Sequence, residues 1–175
     1  MDTRREPSLL ARLKEHPEIS FTGGALDPAA VEGTSLVMIS PGLSPEFSDA
    51  APIVSEAKRL GVEVVGEIEL FARELARLRE EKGYHPKVIG ITGTNGKTTT
   101  TSLTAKMLNA GGVSAVAAGN IGPNAVTELT EHDKAGTLPD AWVLELSSFQ
   151  LQTTESLFCD AAAITNVTAV SYTHL

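Results

Sequence analysis

An α/β fold built on parallel strands is predicted by three observations. Short apolar runs alternate along the chain with stretches of helical periodicity. One of the runs leads through a glycine-rich turn into a helical stretch, a connection typical of the carboxyl end of a parallel strand. The composition, 42% hydrophobic and 21% charged over 175 residues, is that of a folded chain.

The chain opens with DTRREP and a helix-like SLLARLKEH, then presents strand candidates at residues 19–22 (ISFT), 35–39 (SLVMI) and 62–65 (VEVV). The stretch at 67–82, EIELFARELARLREEK, puts Ile68, Phe71, Leu75 and Leu78 on one face at helical spacing. Glu69 with Arg73, and Arg77 with Glu81, are i,i+4 pairs expected on a solvated face. Gly83 and Pro86 end that helix. Further strands are expected at 87–91 (KVIGI), 114–118 (SAVAA), 141–145 (AWVLE) and 161–167 (AAAITNV). The helix after the fourth run would turn Leu103, Met107 and Leu108 to one side, and Trp142 and Phe149 are expected in the core. A domain boundary is placed at residues 83–86, giving domains at 1–83 and 84–175.

Charge and cysteine content narrow the function classes. Fourteen Lys and Arg against 22 Asp and Glu leave a net charge of −8, which argues against an electrostatic footprint for nucleic acid or anionic lipid. Any polyanion must therefore be held by local donors. A single cysteine, Cys159, rules out an intramolecular disulfide framework and a Cys-based zinc cage, and fits a reducing, cytoplasmic setting. The expected state of its thiol is buried and inert. No apolar run approaches the 18 or so residues of a membrane helix. His16, His85, His132 and His174 show no metal-ligand spacing.

The chemistry concentrates in VIGITGTNGKTTTT, residues 88–101. A triphosphate needs backbone N–H groups converging on it, and a tight glycine-containing loop at a helix N-terminus offers them densely. Gly93 and Gly96 would permit close approach, with Thr94 and Asn95 between them. Lys97 would place its ammonium on the β- and γ-phosphate oxygens, and the Thr98 hydroxyl would join the coordination of Mg²⁺. Thr99 would either touch the α-phosphate or satisfy the first helical turn. The loop is a variant of the general GxxxxGK[ST] pattern, since Ile91 stands where the first glycine is expected. ATP and Mg²⁺ are the implied ligands. Glu145, an acid ending an apolar strand, is the second Mg²⁺ ligand candidate because a buried carboxylate needs a cationic partner. Lys97 and Glu145 are thus the catalytic candidates. Ser40, Pro41 and Gly42, and likewise Gly119 and Asn120, form loops that follow strands, where open α/β sheets bind ligands.

GITGTNGKTT, GGVSAVAAGNIG, WVLELSSFQL and AITNVT, in this order and spacing, resemble the Mur ligases over residues 2 to 168. The motifs are specific in combination, whereas GKT alone is shared with many NTPases. The resemblance implies an incomplete Rossmann-like N-terminal domain that binds a UDP-substrate, followed by the first part of a P-loop ATPase-like central domain. It implies a cytoplasmic enzyme of peptidoglycan synthesis that joins D-glutamate to UDP-N-acetylmuramoyl-L-alanine through an acyl phosphate, using ATP. Carried over by motif, Asp2, Thr3 and Arg4 would contact uridine, Ser40, Pro41 and Gly42 the UDP part, and Gly119, Asn120, Ser147 and Gln150 the diphosphate and the MurNAc-L-alanine arm.

The family also has a first strand before Asp-Thr-Arg, a metal-binding histidine after the AITNVT-like segment, a modified lysine and a C-terminal domain for D-glutamate and adenine. None is matched here, so the chain is expected to begin inside the first domain and to be inactive alone. His174 stands at another spacing, and residues 169–175 read as foreign to the family. The rival readings are another P-loop phosphotransferase or nucleotide hydrolase, and a noncatalytic nucleotide-binding remnant; binding of a UDP-sugar separates the ligase from both.

Overall fold

A computed structural model describes residues 1–7, 10–13 and 15–168, the Arg12 side chain excepted. His174 and residues 169–175 lie outside them. A short helix α1 (Leu10–Leu13) and a 3₁₀ turn (Pro28–Val31) precede β1 (Leu36–Met38), α2 (Ala51–Leu60), β2 (Glu63–Val65) and α3 (Glu67–Lys82). Then come β3 (Lys87–Thr92), α4 (Lys97–Ala110), β4 (Ala115–Gly119), α5 (Ala125–Ala135), β5 (Ala141–Glu145), α6 (Ser148–Leu151) and β6 (Ala161–Ile164). Among the described residues no helix is long and apolar enough to cross a membrane.

All strand pairings within the two sheets are parallel. β1 and β2 form one sheet with Val37 opposite Val64, over a small core of Val31, Ile53 and Ala57. The larger sheet has the order β4-β5-β3-β6. Alternation along β5 assigns its faces: Trp142 and Leu144 pack with α3 and α5, while Val143 packs with Ala105 of α4. By the same parity Glu145 stands on the α4 side.

α3 matches the expected span and face, with Ile68, Phe71 and Leu78 fully buried. That face packs against Val88 and Trp142 of the larger sheet and Leu129 of α5. Gly83 stops the helix: its own N–H bonds the Arg79 carbonyl and the Tyr84 N–H bonds that of Leu78.

Four expectations are corrected. Among the described residues ISFT at 19–22 pairs with no strand, and the ladder contact beside it is an isolated bridge from Asp2 to Gly23. The last strand stops at Ile164 because Thr165 and Asn166 turn toward the Gly93–Gly96 loop. On α4, the stripe at i, i+4 and i+7 that meets the sheet is Thr101, Ala105 and Leu108, so Leu103 and Met107 are exposed. Small residues in that stripe let the helix approach closely. Phe149 is only half-buried, whereas Trp142 is fully so.

Glu69 also departs from the expected solvated face. It is 3% exposed. Its Oε1 accepts from Arg73 Nε at 2.9 Å and from the Ser156 hydroxyl at 2.8 Å, while Oε2 accepts the N–H groups of Glu155 and Ser156 at 2.8 and 2.9 Å. Burial opposes ionisation, yet these hydrogen bonds outweigh it and hold the carboxyl at about 2. A depressed carboxyl stabilises the fold above its unfolded value near 4.5 and loses that contribution as pH falls toward 2. Glu69→Gln is therefore expected to cost about 2–3 kcal/mol at pH 7. In urea melts the gap between variant and parent should narrow from pH 5 to pH 2.5; a gap independent of pH would contradict the charged role.

Candidate functional site

The strands β3, β4 and β5 end side by side. Ile91 and Gly119 both stand opposite Glu145, so the parallel register alone brings the strand that leads into the Gly93–Gly96 turn, the Gly119 loop and the acid to one edge. Gly119 has φ 99°, and a Cβ there would fall 2.5 Å from the Glu145 carbonyl oxygen, so only glycine lets the two strand ends approach this closely. The Asn120 N–H then bonds that same carbonyl at 2.9 Å.

Glu145 is 2% exposed and both its oxygens are engaged. Oε2 accepts the Thr98 hydroxyl at 2.7 Å, and Oε1 accepts the Asn120 side-chain amide at 2.8 Å. A hydroxyl that donates its one hydrogen to a carboxylate keeps its lone pairs for a cation. Thr98 and Glu145 thus form a pair of hard oxygen donors beside the loop. Among the described residues there is no group of three or more His, Cys, Asp or Glu able to hold a metal. This donor set suits Mg²⁺, which is commonly held by one or two protein oxygens together with phosphates and water.

The loop itself runs from Gly93, with φ 132°, to Gly96, which caps α4 without any side-chain hydrogen bond. The first-turn N–H groups of Lys97, Thr98 and Thr99 have no carbonyl one turn earlier in the helix to accept them, which fits phosphate oxygens. Lys97 is half-buried, and its ammonium donates to the carbonyls of Gly93 at 2.7 Å and Thr94 at 3.1 Å. It folds across the loop between the glycines.

Thr94 and Asn95, between the two glycines, are hydrogen-bonded through their backbone to the chain that follows β6. The Thr94 N–H is donated to the Asn166 carbonyl at 2.9 Å and the Asn95 N–H to Asn166 Oδ1 at 3.0 Å. Thr165 and Asn166 are the residues that reading the loop alone misses. Their signal was a polar Thr-Asn pair following an apolar run, at the strand end where ligand loops gather.

The remaining candidates fall into separate groups. Ser147 caps α6 in a reciprocal pair with Gln150: Ser147 Oγ accepts the Gln150 N–H at 3.2 Å, and Gln150 Oε1 accepts the Ser147 N–H at 2.9 Å. Gln150, expected on the substrate side, is 1% exposed, and its Nε2 donates to Glu67 at 3.3 Å. Glu67 also accepts the Val126 N–H at 3.1 Å, so one buried carboxylate joins the starts of α3 and α5 to α6. Burial raises its pKa, only partly offset by the N–H groups of Val126 and Ala125 and by Gln150.

Asp2 and Arg4 pair with each other at 2.7 Å, and the Arg4 side chain holds the Asp2 carboxyl down at about 2. Thr3 is exposed between them. Ser40, Pro41 and Gly42 follow β1, where the Leu43 N–H closes a turn on the Ser40 carbonyl at 3.0 Å. Among the described residues no hydrogen bond links either group to Thr98, Asn120 or Glu145. Cys159 is half-buried beneath Gly90, and burial pushes its thiol up, which keeps it un-ionised.

A family model for the Mur ligase middle domain matches residues 91–174, and a model for the N-terminal domain of MurD-like Mur ligases matches residues 1–66. The chain is 53% identical over 168 residues to the UDP-N-acetylmuramoylalanine–D-glutamate ligase of Ralstonia nicotianae, covering 95% of this chain and 34% of that protein. For the proteins of the same name from Bordetella avium and Cupriavidus pinatubonensis, identity is 48% over 173 residues and 50% over 168 residues. Coverage there is 95% of this chain in both cases, and 34% and 33% of the respective relative. The chain thus spans about a third of the length of the curated relatives it matches. A solved structure of UDP-N-acetylmuramoyl-L-alanyl-D-glutamate–2,6-diaminopimelate ligase aligns over 89% of this chain and 40% of that one, at 22% identity and a TM-score of 0.46. With the N-terminal and middle-domain models matched in chain order over residues 1–66 and 91–174, the chain belongs to the Mur ligase family.

Proposed function

We propose that this chain carries the ATP-phosphate site, and part of the UDP-substrate site, of a cytoplasmic enzyme that joins D-glutamate to UDP-N-acetylmuramoyl-L-alanine. The observation that carries the reading is the 2.7 Å hydrogen bond from Thr98 to Glu145 at the foot of the loop that holds Lys97. The names of the relatives supply the substrates.

A carboxylate is a poor electrophile, so the chemistry requires its activation. A carboxylate oxygen of the UDP-substrate attacks the γ-phosphorus and the bond to ADP breaks; the D-glutamate amine then attacks the acyl carbon and phosphate leaves. In this scheme Lys97 exchanges its bonds to the Gly93 and Thr94 carbonyls for β- and γ-phosphate oxygens. The free N–H groups at the start of α4, through Thr99, hold the same charge as it moves. Thr98 and Glu145 would hold Mg²⁺, which would supply Lewis-acid neutralisation of the phosphate oxygens. Asn120 orients Glu145, and Gly119 gives the loop its close approach. Ser147 faces the sugar-peptide arm, with Gln150 supporting that turn from below. Asp2, Thr3 and Arg4, and the Ser40-Pro41-Gly42 turn, receive the uridine end.

Equilibrium dialysis of the 175-residue chain with ATP, with and without Mg²⁺, tests the site. In Glu145→Ala the affinity gained from Mg²⁺ is expected to fall by about tenfold or more; an unchanged metal dependence would remove Glu145 from the site. A parallel titration with UDP-N-acetylmuramoyl-L-alanine separates the ligase from other P-loop enzymes, which have no use for it.

A further inference from the structure

We propose that Asn166 is a positioning residue for the phosphate loop, one that acts through the backbone of Asn95 and decides which loop N–H groups are left to meet phosphate. The inference rests on reading that loop as the nucleotide site. Asn166 Oδ1 accepts the Asn95 N–H at 3.0 Å, and Asn166 Nδ2 donates to the Asn95 carbonyl at 2.8 Å. Both polar groups of one backbone residue are thereby matched by one side chain. Among side chains, a carboxamide offers an acceptor and a donor at this spacing; aspartate lacks the donor and alanine lacks both.

The neighbouring contacts converge on the same few atoms. The Asn166 carbonyl accepts the Thr94 N–H at 2.9 Å, and the Thr165 hydroxyl donates to the Asn95 carbonyl at 2.6 Å. The Thr168 N–H donates to the Thr94 hydroxyl at 3.1 Å. A Cβ on Gly93 would lie 2.3 Å from the Thr165 hydroxyl oxygen and 2.9 Å from the Asn166 carbonyl oxygen, so the two segments touch at the backbone.

This seam has a directional consequence. In a trans peptide the C=O and the following N–H point opposite ways. With the Asn95 carbonyl drawn toward Thr165 and Asn166, the Gly96 N–H is turned away from that segment. The N–H groups of Thr94 and Asn95 are spent on Asn166, so phosphate is left with those of Gly96 and the first turn of α4, beside Lys97. The tether spans 71 residues of sequence and springs from the end of β6, which is itself paired to β3. The loop is therefore held at both ends by the sheet: through β3 directly, and through β6 by way of Asn166.

The test uses the whole 175-residue chain with Mg²⁺ and ATP as one probe and UDP-N-acetylmuramoyl-L-alanine as the other. Asn166→Ala is expected to raise the ATP Kd about tenfold, leave the UDP-substrate Kd within twofold and speed amide exchange at Asn95. Asn166→Asp is expected to be no better than alanine, because it loses the donor and adds negative charge near phosphate. A merely structural role would weaken both ligands together. An ATP Kd unchanged in Asn166→Ala while Lys97→Ala weakens ATP would overturn the positioning role and leave the nucleotide site standing. If Lys97→Ala also left ATP binding unchanged, the nucleotide reading would fall and the positioning role with it. Should Asn166→Ala not fold, Thr165→Val against Thr165→Ser puts the same question, the expected result being weaker ATP binding in valine alone.

Discussion

Lys97→Ala is expected to weaken binding of ATP with Mg²⁺ by about a hundredfold, while binding of the UDP-substrate stays nearly unchanged. Lys97 is the only cationic side chain between Gly93 and Lys106. The protein as a whole carries −8, so no background field compensates for its loss. In the structure its ammonium is held by two loop carbonyls at 2.7 and 3.1 Å, which places it across the loop rather than out in solvent. Charge-assisted hydrogen bonds to phosphate contribute about 1.5–3 kcal/mol each, and about 3 kcal/mol corresponds to the expected factor. Lys97→Arg should restore only part of the affinity, because a planar fork cannot replace a compact ammonium held between two carbonyls. Equilibrium dialysis reads both variants, and a loss below threefold in the alanine variant would place the phosphates elsewhere.

The largest effect on stability is expected from Trp142→Ala, at about 4 kcal/mol. Trp142 is fully buried, the second residue of β5. Its ring meets Phe71 of α3 edge-on with centroids 5.4 Å apart, and His132 of α5 in the same edge geometry, at 82° and 6.0 Å. The indole N–H donates to the Tyr84 hydroxyl at 2.9 Å, and that hydroxyl donates to the Pro139 carbonyl at 2.6 Å. One side chain thus ties two helices and two connecting segments to the sheet. Burial pushes the Tyr84 phenol up to about 12, despite the opposing hydrogen bond from Trp142. Trp142→Phe retains an aromatic filler and loses the N–H, and is expected to cost about half as much. Urea denaturation followed by circular dichroism decides it, and a cost under 1.5 kcal/mol for alanine would show that α3 is held on the sheet by other contacts.

Much of the fold was legible because helices and strand–turn–helix joints are written in neighbouring residues. The 67–82 helix shows its buried face at i, i+3 and i+4 spacing, and Gly83 marks its end. The glycine-containing turn before α4 is legible for the same reason, since Gly93, Gly96, Lys97 and Thr98 lie within six residues of each other. The 19–22 run misleads because a strand exists only with a partner, and apolar residues alone do not reveal whether one is present. Leu103 and Met107 mislead because the side of α4 that meets the sheet is set by how closely the helix can approach, which favours Thr101 and Ala105.

The charged residues of α3 divide along the same line. Arg77 does pair with Glu81 on the outer surface, as the i,i+4 spacing predicts, and it also reaches Glu74. Glu69 pairs with Arg73 as well, yet its burial comes from the backbone of Glu155 and Ser156, more than eighty residues away. Nothing in the spacing of the helix announces that segment. Glu67 is a like case: acids are favoured at a helix start, but its burial against Val126 and Gln150 is decided by distant chain.

Taken alone, the amino-acid order determined the class of fold, the 67–82 helix and the strand–turn–helix joint around Gly93 and Gly96, because each is governed by interactions within one or two turns of chain. Only the folded arrangement decided that Thr98 meets Glu145, that Asn166 clasps Asn95, and that Gln150 turns inward to Glu67. The reason is physical: parallel strands are joined by crossovers, so their ends meet in space while remaining far apart in sequence, and which polar atoms then come within hydrogen-bonding distance is settled by register and packing.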